Sequence, residues 1–115
     1  MIHYIPTNDI RSSFRLIEKD FLNEDKKSIG VFVSNVNWET YAGLCKEFFE
    51  DYQIRRNRNQ LLIVKGNNIL TFHKFNRNMR GYRATDIYID GIISIQDAYE
   101  IIIPMERQLY KKEKI

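Results

Sequence analysis

The stretch from residue 80 to residue 91 reads Arg-Gly-Tyr-Arg-Ala-Thr-Asp-Ile-Tyr-Ile-Asp-Gly, and it decides the fold predicted for this chain. After the Arg-Gly opening, Ile87 and Ile89 alternate with polar and aromatic residues, which is the two-residue period of a β-strand. The strand carries the carboxylate of Asp90 to its C-terminal end. Open α/β sheets bind their ligands beyond the carboxyl ends of parallel strands. Asp90 is therefore the first candidate site residue.

The chain before this stretch begins with a strand, a helix and a second strand. Residues 2–5 predict a short strand, and residues 10–23 predict a helix because their apolar positions repeat at helical spacing. Thr7 or Asp9 can cap this helix. The nearly continuous apolar run of residues 28–34 predicts a central strand that is buried on both faces.

A second helix and a hairpin follow. Asn35 or Asn37 can cap a helix whose apolar stripe runs from Trp38 to Tyr52. Two β-rich runs at residues 61–72 flank the turn sequence Lys-Gly-Asn-Asn, which predicts a β-hairpin. Between the hairpin and the Asp90 strand, the polar residues predict a loop.

The last predicted element is a helix from about Gln96. Pro104 interrupts it, and residues 105–112 are expected to continue it as a kinked turn or two. Strands that alternate with helices favour a mostly parallel sheet covered on both faces. The sequence therefore predicts one α/β domain over residues 1–115, a three-layer sandwich with an added antiparallel hairpin.

Composition excludes several classes of protein. One cysteine, Cys45, permits no internal disulfide and is typical of a reducing compartment. His3 and His73 have no Cys or Glu partners at zinc-binding spacing, so we expect no metal site. No apolar run approaches the roughly 20 residues that span a bilayer, and no signal peptide is visible. We expect a cytoplasmic protein without a membrane partner.

The net charge of +3 conceals a strong asymmetry. Between Asp51 and Asp86 there are eight basic residues and no acidic one, which leaves ten basic residues against fifteen acidic ones elsewhere. Such a local positive field attracts polyanions. A solvated basic face without a partner is the alternative interpretation.

Most of these basic residues fall in two predicted loops, residues 55–59 and 75–83, in which arginine is mixed with asparagine and, in the second, with aromatic residues. Arginine contacts phosphates, asparagine adds hydrogen bonds, and tyrosine or phenylalanine can stack on unpaired bases. A protein partner with an acidic surface would use the same residues. We predict a surface for nucleic acid, or for a nucleic-acid-processing protein, formed by Arg55, Arg56, Arg58, Lys74, Arg77, Arg80 and Arg83.

An apolar strand that ends in aspartate and is entered through an Arg-Gly turn resembles the Walker B region of P-loop NTPases. It is similar in particular to the ATPase half of the large terminase subunits that package viral DNA. The order of elements over nearly the whole chain is similar too, and the turn at residues 65–68 resembles the hairpin that precedes the Arg-Gly stretch in terminases. The resemblance implies a P-loop NTPase-like fold, an origin of phage type, and ATP with Mg²⁺ as ligands.

In P-loop proteins, a glycine-rich turn after the first strand leads into a lysine and a hydroxyl residue that opens a helix. Residues 5–13 stand in the corresponding place. Arg11 would take the position of the lysine, and Ser12 would take that of the metal-binding hydroxyl. The resemblance thus implies a vestigial nucleotide site of Arg11, Ser12 and Asp90.

Three departures from the family pattern concern chemistry. No glycine lies between Pro6 and Arg11, although a loop that wraps phosphate needs one. Asp9 adds a negative charge where a triphosphate would lie. Gly91 stands where the family has its catalytic glutamate, so no carboxylate would orient water. The alternative role for Asp9 and Ser12 is ordinary helix capping. The alternative role for Asp90 is to cap the end of the strand or to turn the chain.

We therefore predict a non-catalytic, P-loop-like domain that binds nucleic acid, or docks on a nucleic-acid enzyme, through its basic middle segment. We assign no catalytic residue. The alternatives are a small ATPase or motor fragment and a viral protein that inhibits a host enzyme. The apolar residues Ile92, Ile93 and Ile95 could form either an interface or part of the core.

Overall fold

The structure is a computed structural model that describes residues 2–23, 27–79 and 81–106. The described residues form one six-stranded sheet. Its strands are β1 (Ile2–Ile5), β2 (Ser28–Val33), β3 (Ile54–Asn57), β4 (Gln60–Lys65), β5 (Asn68–Lys74) and β6 (Asp86–Asp90).

The strands lie in the order β1-β6-β2-β5-β4-β3. The first four are parallel to one another, whereas β4 is antiparallel to β5 and β3 is antiparallel to β4. The predicted combination of a parallel sheet with an antiparallel hairpin is confirmed. The prediction of a central strand at β2 is also confirmed, because β2 lies between β6 and β5 and every residue after Ser28 is buried.

Two helices, α1 (Ile10–Phe21) and α2 (Trp38–Phe48), pack on one face of the sheet. Both follow the predicted apolar stripes, and Phe14 is fully buried at their contact with the sheet. Its ring stacks on Phe72 of β5 at 5.5 Å and contacts Tyr41 of α2 at the same distance. Aromatic packing therefore fixes both helices against the strands.

The helical segment 95–105 covers the opposite face. It begins as α3 (Ile95–Asp97), widens into a π-helical turn over Ala98–Ile102, and ends as a 3₁₀ turn over Ile103–Met105. Its buried residues pack with those that point to this face from β2 and β6, which are Phe32, Ile87 and Ile89. The molecule is therefore a mixed α/β structure with helices on both faces.

Two local predictions were wrong. Residues 54–57, which lie partly in a predicted basic loop, form the edge strand β3. Arginines on an edge strand discourage pairing with further strands, so these charges are compatible with a strand. The helix does not continue through Glu106, whose backbone is extended and bridges to Ala84. The rest of that predicted turn, residues 107–112, lies outside the described residues.

The hairpin turn has a second structural role that the sequence did not indicate. Gly66 has a φ of 60°, which the turn requires and which glycine adopts readily. Asn68, almost fully buried, donates to the carbonyl of Phe21 at 2.9 Å and accepts from the backbone N–H of Lys27 at 3.2 Å. This amide side chain ties the end of α1 and the start of β2 to the hairpin.

Candidate functional site

The four parallel strands end at one edge of the sheet, here called the carboxyl edge, formed by residues 6–9, 34–37, 58–59, 74–79 and 90–94. After β1 and β2 the chain turns to the helices on one face, whereas after β6 it turns to segment 95–105 on the other. Such a reversal opens a crevice at the strand ends, where open α/β sheets bind ligands. Asp90 lies at this point, between Ile5 and the loop that begins at Ser34.

Asp90 is fully buried, and protein groups donate to both of its carboxylate oxygens. Oδ2 accepts from the Ser34 backbone N–H at 3.0 Å and from the Ser34 hydroxyl at 2.6 Å. The Asn37 side-chain amide donates to both oxygens at 3.2–3.3 Å, and the Ile92 N–H donates to Oδ1 at 3.3 Å. The carboxylate therefore joins the ends of β2, α2 and β6, which matches its alternative role as a strand-end cap.

Asn37 does not cap α2 with its side chain, as the sequence suggested it could. Its amide instead donates to Asp90, and the Ser34 hydroxyl accepts from the Asn37 N–H at 3.3 Å. The polar loop at residues 34–37 is thus organised by a residue more than fifty positions away. Local sequence patterns carry no signal for such a contact.

Tyr41 points a buried hydroxyl into the core without a hydrogen-bond partner among the described residues. Burial raises the pKa of this phenol, and the negative charge of Asp90 raises it further. Tyr41 and Cys45 lie on the predicted apolar stripe of α2, and both are fully buried. Burial also raises the pKa of the Cys45 thiol to about 12, which leaves it protonated and unsuited to nucleophilic attack.

Gly91 has a structural reason to be glycine. Its N–H donates to the Ile5 carbonyl at 2.9 Å, and a Cβ at this position would lie 2.6 Å from that carbonyl oxygen. The close approach joins the ends of β1 and β6. A side chain here, including the glutamate of the family pattern, would displace the two strand ends.

The residues of the predicted vestigial nucleotide site are not brought together by the contacts they make. Arg11 pairs with Glu47 of α2 at 2.6 Å and lies over the Phe48 ring. Ser12 donates its backbone N–H to Asp9, the N-cap of α1, at 3.4 Å. The alternative of ordinary helix capping is therefore confirmed for Asp9, whereas Arg11 and Asp90 interact with different parts of α2.

Arg58 and Lys74 are brought together at the carboxyl edge. Arg58 lies in the turn between β3 and β4, and the Lys74 N–H donates to the carbonyl of its neighbour Asn59 at 2.9 Å. Arg58 is exposed and Lys74 half-buried. Within residues 2–23, 27–79 and 81–106, neither side chain has a carboxylate at ion-pair distance. Both cations are therefore available to an anionic ligand at this edge.

The other predicted basic residues have more varied positions. Arg56 pairs with Glu39 of α2 at 3.0 Å, whereas Arg55 points to the opposite face of the sheet. Arg77 pairs with Asp97 and, at 3.5 Å, with Glu100. Arg83 lies at the other end of the sheet, where its carbonyl accepts from Ser28, and Arg80 lies outside the described residues.

The asparagines of the two basic segments mainly stabilise turns. Asn57 accepts the Asn59 N–H at 2.9 Å, and Asn76 accepts the Asn78 N–H at 2.6 Å. Both are the short-range bonds through which asparagine fixes a turn. Their side chains therefore hold the arginine-bearing loops in shape.

His73 is buried on the face opposite α1 and α2. Its ring stacks on Phe32 at 4.9 Å and contacts Tyr82 at 4.2 Å. Burial lowers the pKa of His73 to about 4 from its ordinary 6.5. The ring is therefore neutral in the folded protein at physiological pH.

We expect the free energy of unfolding to decrease in mild acid because unfolded His73 binds a proton that the folded state excludes. This stabilisation is complete above the unfolded pKa of 6.5 and is lost as pH falls towards 4. A drop of about 2 kcal/mol between pH 6.5 and about 5 should appear in urea unfolding curves. The His73→Phe variant should show a flatter profile, and an unchanged profile would contradict this role.

The apolar residues that follow Asp90 differ in burial. Ile93 is buried in the core, whereas Ile92 and Ile95 are exposed at the carboxyl edge. Among the described residues, no helix combines the length and apolar character needed to cross a bilayer.

Comparison with known proteins identified no relative. No family model matches the chain, and neither a curated protein nor a solved structure matches it.

Proposed function

We propose that this protein is a non-catalytic domain that binds nucleic acid through the carboxyl edge of its sheet. The observation that carries the proposal is that the backbones of Arg58 and Lys74 lie close together at this edge. Among the described residues, neither side chain has a carboxylate at ion-pair distance. Lys74 pairs with Val33 of β2, and the Asn57–Gln60 pair of β3 and β4 closes the turn that carries Arg58, so both backbones are ordered. An ordered backbone reduces the conformational entropy that is lost when these cations contact phosphates.

Arg56 and Arg77 extend this surface on either side. Both guanidinium groups already pair with carboxylates: Arg56 with Glu39, which is 76% exposed, and Arg77 with Glu100, which is 52% exposed, and with Asp97, which is 20% exposed. Exposed ion pairs contribute about 0–1 kcal/mol, so a phosphate can replace Glu39 or Glu100 at small cost, whereas Asp97 competes more strongly for Arg77. Arg55 and Arg83 lie farther from the centre and would make weaker, longer-range contributions.

We also propose that the domain is related to P-loop ATPases and that it is of phage origin. What supports the relation is the sequence resemblance, together with an aspartate that ends a strand next to β1. What weighs against nucleotide turnover is that Asp90 has protein donors on both oxygens and that Arg11 pairs with Glu47. A reducing, cytoplasmic location is proposed because Cys45 is buried as a free thiol.

Replacing Arg58 and Lys74 together with glutamine should weaken binding to a labelled oligonucleotide and reduce its salt dependence. Each phosphate neutralised on a single strand contributes about −0.7 to the log–log salt slope, so the slope should become less negative by about 1.4. Fluorescence anisotropy over a range of salt concentrations measures both changes.

Lys46→Gln is the matched control because Lys46 is an exposed cation on α2 outside the carboxyl edge. It should change the slope by less than half as much as the double variant. A slope change for Lys46→Gln of half that of the double variant or more would show that only net charge matters, and the proposed surface would then be wrong. If the wild type binds no nucleic acid at low salt, the function itself is wrong and an acidic protein partner becomes the leading candidate.

A further inference from the structure

A second feature of the carboxyl edge is an apolar cleft of about 540 Å³ between the ends of β1 and β6 and segment 95–105. Tyr4 and Pro6 line one side, and Ile95 and Tyr99 line the other. Tyr4, Ile95 and Tyr99 are 48%, 69% and 66% exposed. Exposed large apolar side chains grouped in this way mark a binding surface.

The residues that line the cleft indicate which kind of ligand it can bind. None of the described residues that line the cleft is charged, and its volume lies within the roughly 300–1,000 Å³ of small-ligand sites. Two tyrosine rings offer flat apolar surface, and the Thr7 hydroxyl with nearby backbone groups offers hydrogen bonds. An uncharged aromatic ring matches this combination, whereas a phosphate does not.

The cleft and the basic surface lie along the same edge of the sheet. β1 borders the cleft and β5 carries Lys74, and three strand spacings separate these two strands in the sheet. Because neighbouring strands lie about 4.8 Å apart, the two features are about 14 Å apart. Between them lie Val36, which is 80% exposed, and Ile92, and neither introduces a charge. A short extended chain can therefore reach from one feature to the other.

We propose that the cleft receives an unpaired base of a single-stranded nucleic acid whose phosphates contact Arg58 and Lys74. This inference rests on the proposed function and adds a preference for single strands to it. A base in a duplex is stacked and paired, and extruding it costs a few kcal/mol, so duplex binding would use the basic surface alone. Base–aromatic stacking tolerates any base, so little sequence preference is expected.

Tyr4→Ala and Tyr99→Ala should each weaken binding of a single-stranded oligonucleotide of about 12 nucleotides by roughly 5- to 150-fold, which is the range for one stacked base. Affinity for a duplex and the salt slope on single strands should not change, because no phosphate contact is lost. Anisotropy gives the affinities, and quenching of a 2-aminopurine base reports the stacking directly.

Tyr4→Phe and Tyr99→Phe should retain single-strand affinity because they keep the ring. Val64→Ala is the matched control, since Val64 is exposed to the same extent as Tyr4 but lies on β4, outside the cleft. Thermal unfolding should confirm that each variant is folded, because both tyrosines are surface residues.

If both alanine variants bind single strands with full affinity, the inference is wrong. The proposed function would still stand if the Arg58 and Lys74 double variant loses binding. Equal losses for single strands and duplexes would overturn it as well. Self-association of the wild type in sedimentation experiments that Tyr99→Ala abolishes would assign the cleft to a protein contact instead.

Discussion

The Asp90→Ala variant should lose about 3–5 kcal/mol of unfolding free energy, a large share of the 5–15 kcal/mol typical of a domain. The substitution removes the acceptor for the Ser34 N–H and hydroxyl, the Asn37 amide and the Ile92 N–H. In a fully buried position, water cannot replace it without opening the core. Urea unfolding followed by circular dichroism measures the loss.

Asp51→Ala is the control for this experiment because Asp51 is an exposed carboxylate in the turn after α2. It should change stability by no more than about 0.5 kcal/mol. Asp90→Asn should have an intermediate effect, since its amide keeps one acceptor oxygen but directs a donor at other donors. A loss of less than about 1 kcal/mol for Asp90→Ala would contradict the structural role.

The second large effect is expected at Gly91. Gly91→Ala would place a Cβ 2.6 Å from the Ile5 carbonyl oxygen, so the ends of β1 and β6 must separate and the 2.9 Å hydrogen bond between them must weaken. We expect a loss of about 2–4 kcal/mol, in the range of overpacked sites combined with a lost hydrogen bond. Gly91→Glu, which introduces the glutamate of the P-loop pattern, should be at least as destabilising.

Gly43 provides an internal control for the glycine substitution. It is an exposed residue in the interior of α2, and a Cβ added at this position would meet nothing within 4 Å. Gly43→Ala should therefore stabilise the protein by about 0.5–1 kcal/mol because alanine is the better helix former. If both variants changed stability in the same direction, the steric account of Gly91 would be wrong.

The Gly91 experiment also bears on the family resemblance. The resemblance to P-loop ATPases would make Gly91 a substitute for a catalytic glutamate. In the structure it is the residue that allows β1 and β6 to approach each other. A glutamate introduced at this position would therefore disturb the ends of β1 and β6.

Strong periodic patterns made most of the fold predictable. Helices α1 and α2 follow continuous apolar stripes, and the Lys-Gly-Asn-Asn turn indicates its hairpin, so these elements were expected where they occur. Residues 54–57 were not predicted as a strand because they are basic. An edge strand needs only one hydrogen-bonded neighbour and tolerates charged side chains, so a basic sequence can form one.

The candidate site was less predictable because it depends on contacts between distant residues. Asp90 could be placed at a strand end, but its donors Ser34 and Asn37 belong to a different βα unit. The proximity of Arg58 and Lys74 follows from strand pairing that no local pattern specifies. The tyrosine cleft joins residues from opposite ends of the chain, so no sequence pattern indicates it.

The central claim is tested most directly by the affinity of the wild-type protein for single-stranded and duplex DNA over a range of salt concentrations. We predict binding to both at low salt, with a log–log slope of about −1.4 or steeper on single strands because at least two phosphates are neutralised. Single strands should bind more tightly at every salt concentration. Absence of binding at low salt, or an affinity that does not respond to salt, would contradict the account.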